Sequence, residues 1–135
     1  WIIQNLQKDL GISFGEMVNL AKTSSYDRIF DVNLPCFLEP FDIRGNILKA
    51  LGETGLNDAD VINSVYHSLA YSYGEAVREL EDITGKDLAE LYIGGGGAKN
   101  QYLSELTEKY TGKKVIALPV EATAIGNLKV QINAV

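Results

Sequence analysis

The sequence predicts an α/β fold with parallel strands and packed helices, and three observations carry that expectation. Residues 90–93 and 114–118 are short strand-like runs separated by a helical pattern over 101–110. Strand, helix, strand in that order implies parallel pairing, because neighbouring parallel strands need a crossover connection. Residues 58–84 repeat apolar side chains at helical spacing throughout, giving a stripe broad enough to lie against a sheet or another helix. The first strand also runs directly into four consecutive glycines, Gly94, Gly95, Gly96 and Gly97, before the next helix opens. Backbone without Cβ atoms is costly to order and lets a phosphate or nucleotide approach closely.

From the amino-terminal end, Ile2, Ile3, Leu6 and Leu10 follow a helical period, so residues 4–10 read as a short helix ended by Gly11. Residues 14–21 read as a second helix, with Ser13 as its cap and Glu16 completing a capping box. Residues 24–40 break the pattern, since Pro35 and Pro40 are excluded from helix interiors; 28–30 and 36–38 are expected as short extended pieces of a loop-rich layer. Residues 42–51 form an amphipathic helix on Ile43, Ile47 and Leu51, closed by Gly52. The long helix has Asn57 or Asp58 as cap and Gly85 as terminator. Its stripe comprises Val61, Ile62, Val65, Tyr66, Leu69, Ala70, Tyr73, Ala76, Val77, Leu80 and Ile83. After strand 114–118, residues 122–132 are expected to form a last helix.

Length and charge bound the function. At 135 residues and 46% apolar content the chain can bury a single-domain core. A formal net charge of −6 with no basic patch argues against nucleic acid as partner, since affinity for that backbone comes from clustered Lys and Arg. No apolar stretch is long enough to span a bilayer and no signal peptide opens the chain, so the expectation is a cytoplasmic protein with no membrane partner. The lone cysteine, Cys36, has no intramolecular disulfide partner, and a single histidine leaves no cluster of soft metal ligands. The chain starts at Trp1 inside a helical pattern and stops inside an apolar run, which reads as a piece of a longer protein.

The glycine run fits neither common nucleotide motif. A P-loop requires glycine before its lysine and Ser or Thr after it, whereas Lys99 stands between Ala98 and Asn100. A dinucleotide fingerprint would need glycine or alanine at Lys99 or Asn100, and no acidic residue ends the strand at 114–118. On this segment alone, nucleotide contact and a loop permitting tight strand-to-helix packing stand level. His67, beside the stripe, reads as structural. No Gly-x-Ser-x-Gly elbow occurs and no carboxylates have a catalytic spacing, so no catalytic residue is assigned. Glu121 near a helix start is favoured by the helix dipole, and Gly126 within that helix costs about 1 kcal/mol, which points to close packing or a ligand. Together the two strand-to-helix junctions outline a purine pocket.

At these residues the chain resembles the carboxy-terminal domain of the FGGY carbohydrate kinases, and within them the rhamnulokinase branch. That branch carries Gly-Gly-Gly-x-x-Asn, matched by Gly95-Gly96-Gly97-Ala98-Lys99-Asn100. It also carries Val-Ile-Ala-x-Pro-Val-Glu-Ala-x-x-x-Gly-Asn, matched from Val115 through Glu121 and Ala122 to Gly126 and Asn127. Trp1 and Gln4 resemble the family's Trp-x-x-Gln, and 60–80 its long helix, with 24–56 the loosest stretch. The resemblance implies an actin-like ATPase (ribonuclease H-like) domain with one long central helix. It implies ATP or ADP with Mg2+ as cofactor, the metal held by no identified residue here. Carried over by position, Gln4 and Gly96 are expected nucleotide contacts, supported by Gly95, Gly97 and Asn100. Residues 1–135 would then be part of the nucleotide-binding domain, with the sugar-binding domain and catalytic aspartate upstream and absent, and the isolated chain inactive. The implied reaction is phosphorylation of L-rhamnulose to L-rhamnulose 1-phosphate in rhamnose catabolism, with xylulose or fuculose as alternative sugars. A stand-alone actin-like nucleotide-binding or regulatory module is the alternative of a different class.

Overall fold

The computed structural model describes residues 2–38, 41–94, 101–117 and 129–134. The chain divides into two units, Trp1–Leu69 and Ala70–Val135, with the division inside one long helix.

The first unit is helical. Helix α1 (Ile2–Leu10) buries Ile2 and Leu6, and α2 (Phe14–Thr23) buries Met17 and Ala21. The expected cap is present: Ser13 Oγ accepts the N–H of Glu16 at 3.1 Å. Helix α3 (Ile43–Leu51) packs against α1 and buries Ile43, Ile47 and Leu51. Two carboxylates meet its positive end, where unpaired N–H groups and the helix dipole favour anions: Asp9 Oδ2 accepts the N–H of Ile43 at 2.9 Å and Asp42 Oδ1 that of Gly45 at 3.1 Å. Gly52 closes α3 at φ 71°, donating to Lys49 O at 3.1 Å while Glu53 donates to Leu48 O at 3.0 Å, a Schellman ending.

Between α2 and α3 the sequence expectation needs one correction. Residues 36–38 are not extended, because Pro35–Phe37 forms a 3-10 turn with proline at its first position, where the fixed φ of the ring suits a helical start. Residues 24–30 carry no strand ladder. Their backbone is held instead by the first half of helix α4 (Asp58–Thr84). Ser24 Oγ donates to Asp60 Oδ1 at 2.6 Å, Asn63 Nδ2 to Tyr26 O at 2.9 Å, and Ser64 Oγ to Arg28 O at 2.6 Å. Ser68 Oγ in turn accepts the N–H of Phe30 at 3.0 Å. Asn63, Ser64 and Ser68 are buried, so this ladder satisfies polar groups that would otherwise be stranded. Phe30 then stacks obliquely on Phe37, ring centroids 5.3 Å apart.

The second unit is α/β. It contains the rest of α4, strand β1 (Leu88–Gly94), helix α5 (Gln101–Thr111), β2 (Lys114–Ala117) and β3 (Lys129–Ala134). Sheet order is β2-β1-β3, with β1 and β2 parallel as expected and β3 antiparallel to β1. The sheet is therefore mixed rather than wholly parallel. The helix expected over 122–132 does not reach its stated end, since 129–132 are strand; the rest of it, 122–128, lies outside the described residues. Lys129-Val130-Gln131-Ile132 alternates with a period of two and carries β-branched residues, a pattern the strand satisfies better.

Val77 of α4 packs with Leu88 and Leu91 of β1, joined by Val115 of β2. Leu88 and Leu91 would face opposite sides of a regular strand; a register shift between Leu88 and Glu90 lets both turn inward. The stripe of α4 is shorter than its sequence pattern, because Ala76, Leu80 and Ile83 are exposed. Where α4 meets α5, a Cβ on Gly74 would lie 3.2 Å from Tyr110 O, and Tyr71 meets Tyr110 edge to face. Among the described residues no helix is long and apolar enough to cross a membrane.

Candidate functional site

Parallel pairing brings the carboxyl ends of β1 and β2 to one edge of the sheet, and that edge is where open α/β sheets take ligands. The pairing runs in register from Glu90↔Lys114 to Ile93↔Ala117. Strand β1 continues to Gly94, which pairs with Lys129 of β3. In the sequence the rest of the glycine run follows, and α5 begins at Gln101. Leu103, Leu106 and Thr107 bury one face of α5 and so anchor that helix. Its first turn carries no acidic residue, so no side chain of that turn opposes an anion at the positive end of the helix dipole. Tyr102, in that turn, has its phenol pushed up by burial and then by the Glu105 charge, so it stays a neutral hydroxyl at ordinary pH.

The expected site residues are placed unequally. Gln4 sits exposed on α1, away from the buried Ile2 and Leu6, in the first unit. Gly95, Gly96, Gly97 and Asn100 lie outside the described residues, as do Glu121 and Gly126. His67 is buried in α4 at 6% exposure, in keeping with a structural side chain. Among the described residues no three His, Cys, Asp or Glu side chains come together as a metal site.

Sequence reasoning missed the other end of the sheet. Glu81 Oε2 accepts the N–H of Leu88 and the ammonium of Lys113, each at 3.0 Å, and Glu108 Oε1 accepts the N–H of Val115 at 3.1 Å. The Leu88 N–H, and then Lys113, hold the Glu81 carboxyl below the usual carboxylate range. Only the helical phase of Glu81, one turn after the buried Val77, hints at this in the sequence. Chemically, the described frame sets the acid-free first turn of α5 after the carboxyl end of β1, and no general base is assigned there.

Comparison with known proteins agrees with this frame. The model of the FGGY family of carbohydrate kinases, C-terminal domain, matches residues 3–135. The chain is 41% identical over 137 residues to a rhamnulokinase of Halalkalibacterium halodurans, covering 97% of this chain and 29% of that protein. It is 37% identical over 141 residues to a rhamnulokinase of Oceanobacillus iheyensis, covering 100% and 30%, and 35% identical over 141 residues to one of Bacillus subtilis, covering 99% and 29%. The chain thus spans under a third of the length of these curated relatives. With the family model covering nearly every residue and the parallel pair, crossover helix and long helix in place, the chain belongs to the FGGY family of carbohydrate kinases, within its C-terminal, actin-like ATPase domain.

Proposed function

We propose that this chain is the nucleotide-holding part of a sugar kinase that transfers the γ-phosphoryl group of ATP to the 1-hydroxyl of L-rhamnulose. The observation that carries this is the junction itself: a parallel pair in register to Ile93↔Ala117, a glycine run in the sequence directly after β1, and the acid-free start of α5. The rhamnulokinase names of the relatives support the choice of sugar. In this proposal Gly95, Gly96, Gly97 and Asn100 line the turn against the nucleotide, and Gln4 contributes from α1. ATP arrives with Mg2+, which supplies charge neutralisation of the phosphates when bound. The residues of this chain bind and orient; the group that takes the sugar's proton belongs to a preceding domain, of the kind that would fill the relatives' remaining length.

Phosphoryl transfer depends on one positioned base plus electrostatic clamping, so a domain holding nucleotide alone cannot complete it. The test is a coupled assay for rhamnulose-dependent ADP release. The full-length protein should show it and the 135-residue chain should not. Activity of the full-length protein on xylulose or fuculose instead of rhamnulose would overturn the sugar assignment. ATP binding without any sugar-dependent turnover by the full-length protein would favour a regulatory nucleotide module.

A further inference from the structure

We infer that Glu81 is a positioning residue that fixes the register of β1, and through it the place where the glycine turn begins; the functional half of this inference rests on the nucleotide proposal above. A single carboxylate oxygen, Oε2, accepts both the N–H of Leu88, which opens β1, and Nζ of Lys113, which directly precedes β2. Glu81 therefore ties the starts of both parallel strands to α4. Glu108 Oε1 holds only one of them, at Val115 N.

The need for such a tie is legible in β1 itself. Leu88-Ala89-Glu90-Leu91-Tyr92-Ile93 has apolar residues of both parities, so alternation specifies its register weakly. The observed solution is a bulge between Leu88 and Glu90, which turns Leu88 and Leu91 together onto Val77. The bulge begins at the residue whose N–H Glu81 holds. Val77 and Glu81 are one helical turn apart on α4, so the apolar contact and the polar tie act on β1 from the same face. A slip by one residue would turn Glu90 and Tyr92 toward that core and displace Gly94 along the strand by about 3.3 Å. That is about the length of a hydrogen bond, enough to move the end of β1 out of line with a ligand held beyond it.

The experiment uses the full-length protein and three variants. Glu81→Gln keeps an acceptor for Leu88 N–H and loses the ion pair; Glu81→Ala loses both. Glu81→Lys combined with Lys113→Glu keeps opposite charges but leaves Leu88 without an acceptor at position 81. Hydrogen exchange at the Leu88 amide and cross-strand NMR contacts between Leu91 and Val115 report register, and calorimetry with Mg-ATP reports affinity in the folded protein. Glu81→Ala and the swapped pair should lose Leu88 protection and weaken Mg-ATP by about tenfold, while Glu81→Gln keeps both. Unchanged protection and affinity in Glu81→Ala, or recovery of both by the swapped pair, would overturn the inference. Should Glu81→Ala fail to fold, Glu81→Gln against the swapped pair makes the same comparison. Lost register in variants of a full-length protein that itself binds no Mg-ATP would overturn the nucleotide proposal and leave Glu81 as a purely structural tie.

Discussion

The carboxylate of Asp42 fills the space that a side chain at Gly45 would need. Asp42 adopts a left-handed backbone at φ 47° and caps α3 by accepting the N–H of Gly45 at 3.1 Å; a Cβ placed on Gly45 would stand 2.7 Å from Asp42 Cγ. Gly45→Ala should therefore forfeit the gain that this substitution brings elsewhere in a helix. Elsewhere in a helix it gains about 1 kcal/mol, but here it displaces a cap worth about 0.5–2 kcal/mol. In an Asp42→Ala background the clash is gone and Gly45→Ala should recover its stabilising effect. Chemical denaturation of the four proteins of that cycle reads the coupling directly.

Ser68 supports the segment 24–30 at its buried end. Its hydroxyl accepts the N–H of Phe30 at 3.0 Å, and both residues are buried. Ser68→Ala leaves that N–H without an acceptor, at an expected cost of about 1–3 kcal/mol. Ser25→Ala, on the exposed side of the same segment, should change stability by less than about 0.5 kcal/mol. Urea denaturation of the two variants separates a ladder that holds the segment from one that merely accompanies it.

The same ladder marks the limit of what the sequence discloses. Helices α1 to α5 and the pairing of β1 with β2 follow from local period, caps and chain order, and these are strong where each residue's neighbours in sequence decide its state. Asn57, expected as one of two caps for α4, does accept the N–H of Asp60 at 2.8 Å. What escaped was settled by distant partners. Asn63, Ser64 and Ser68 look like breaks in an apolar stripe until residues 24–30 are laid on them. The strand at 129–134 competes with a helical pattern, and only its antiparallel partner β1 decides the matter. Of the candidate site, the glycine run was legible because it is contiguous, whereas the supports at Glu81 and Lys113 are 32 positions apart.

Glu81 gives the second unit a defined response to acid. Its carboxyl is held low, first by the Leu88 N–H and then by Lys113. A folded-state value below the unfolded one means stability that is present above the unfolded pKa, about 4.3 for glutamate, and is lost as pH falls through the folded value. Glu81→Gln removes that titration. The difference in stability between the parent sequence and Glu81→Gln should therefore shrink on acidification below pH ~4.3 and stay flat from pH ~6 upward. Thermal melts of both proteins across that range check the sign; a difference that grows on acidification contradicts it.

Gly96 is the most direct test of the nucleotide turn. Valine there adds a branched side chain where the nucleotide is expected to lie against the backbone, and β-branching resists the positive φ that such turns use. Gly55 supplies the control, since a Cβ built on it meets nothing within 4 Å and its backbone needs no left-handed conformation. In the full-length protein, Gly96→Val should abolish measurable Mg-ATP binding while Gly55→Ala leaves it unchanged. Gln4→Ala, which removes one amide from the exposed face of α1, should weaken binding more modestly, by about 0.5–1.5 kcal/mol if it loses a single neutral hydrogen bond. Calorimetry on the three variants orders these effects. Unchanged affinity in Gly96→Val would place the nucleotide away from the turn, because no adjustment of a four-glycine run hides a valine from a ligand seated on it.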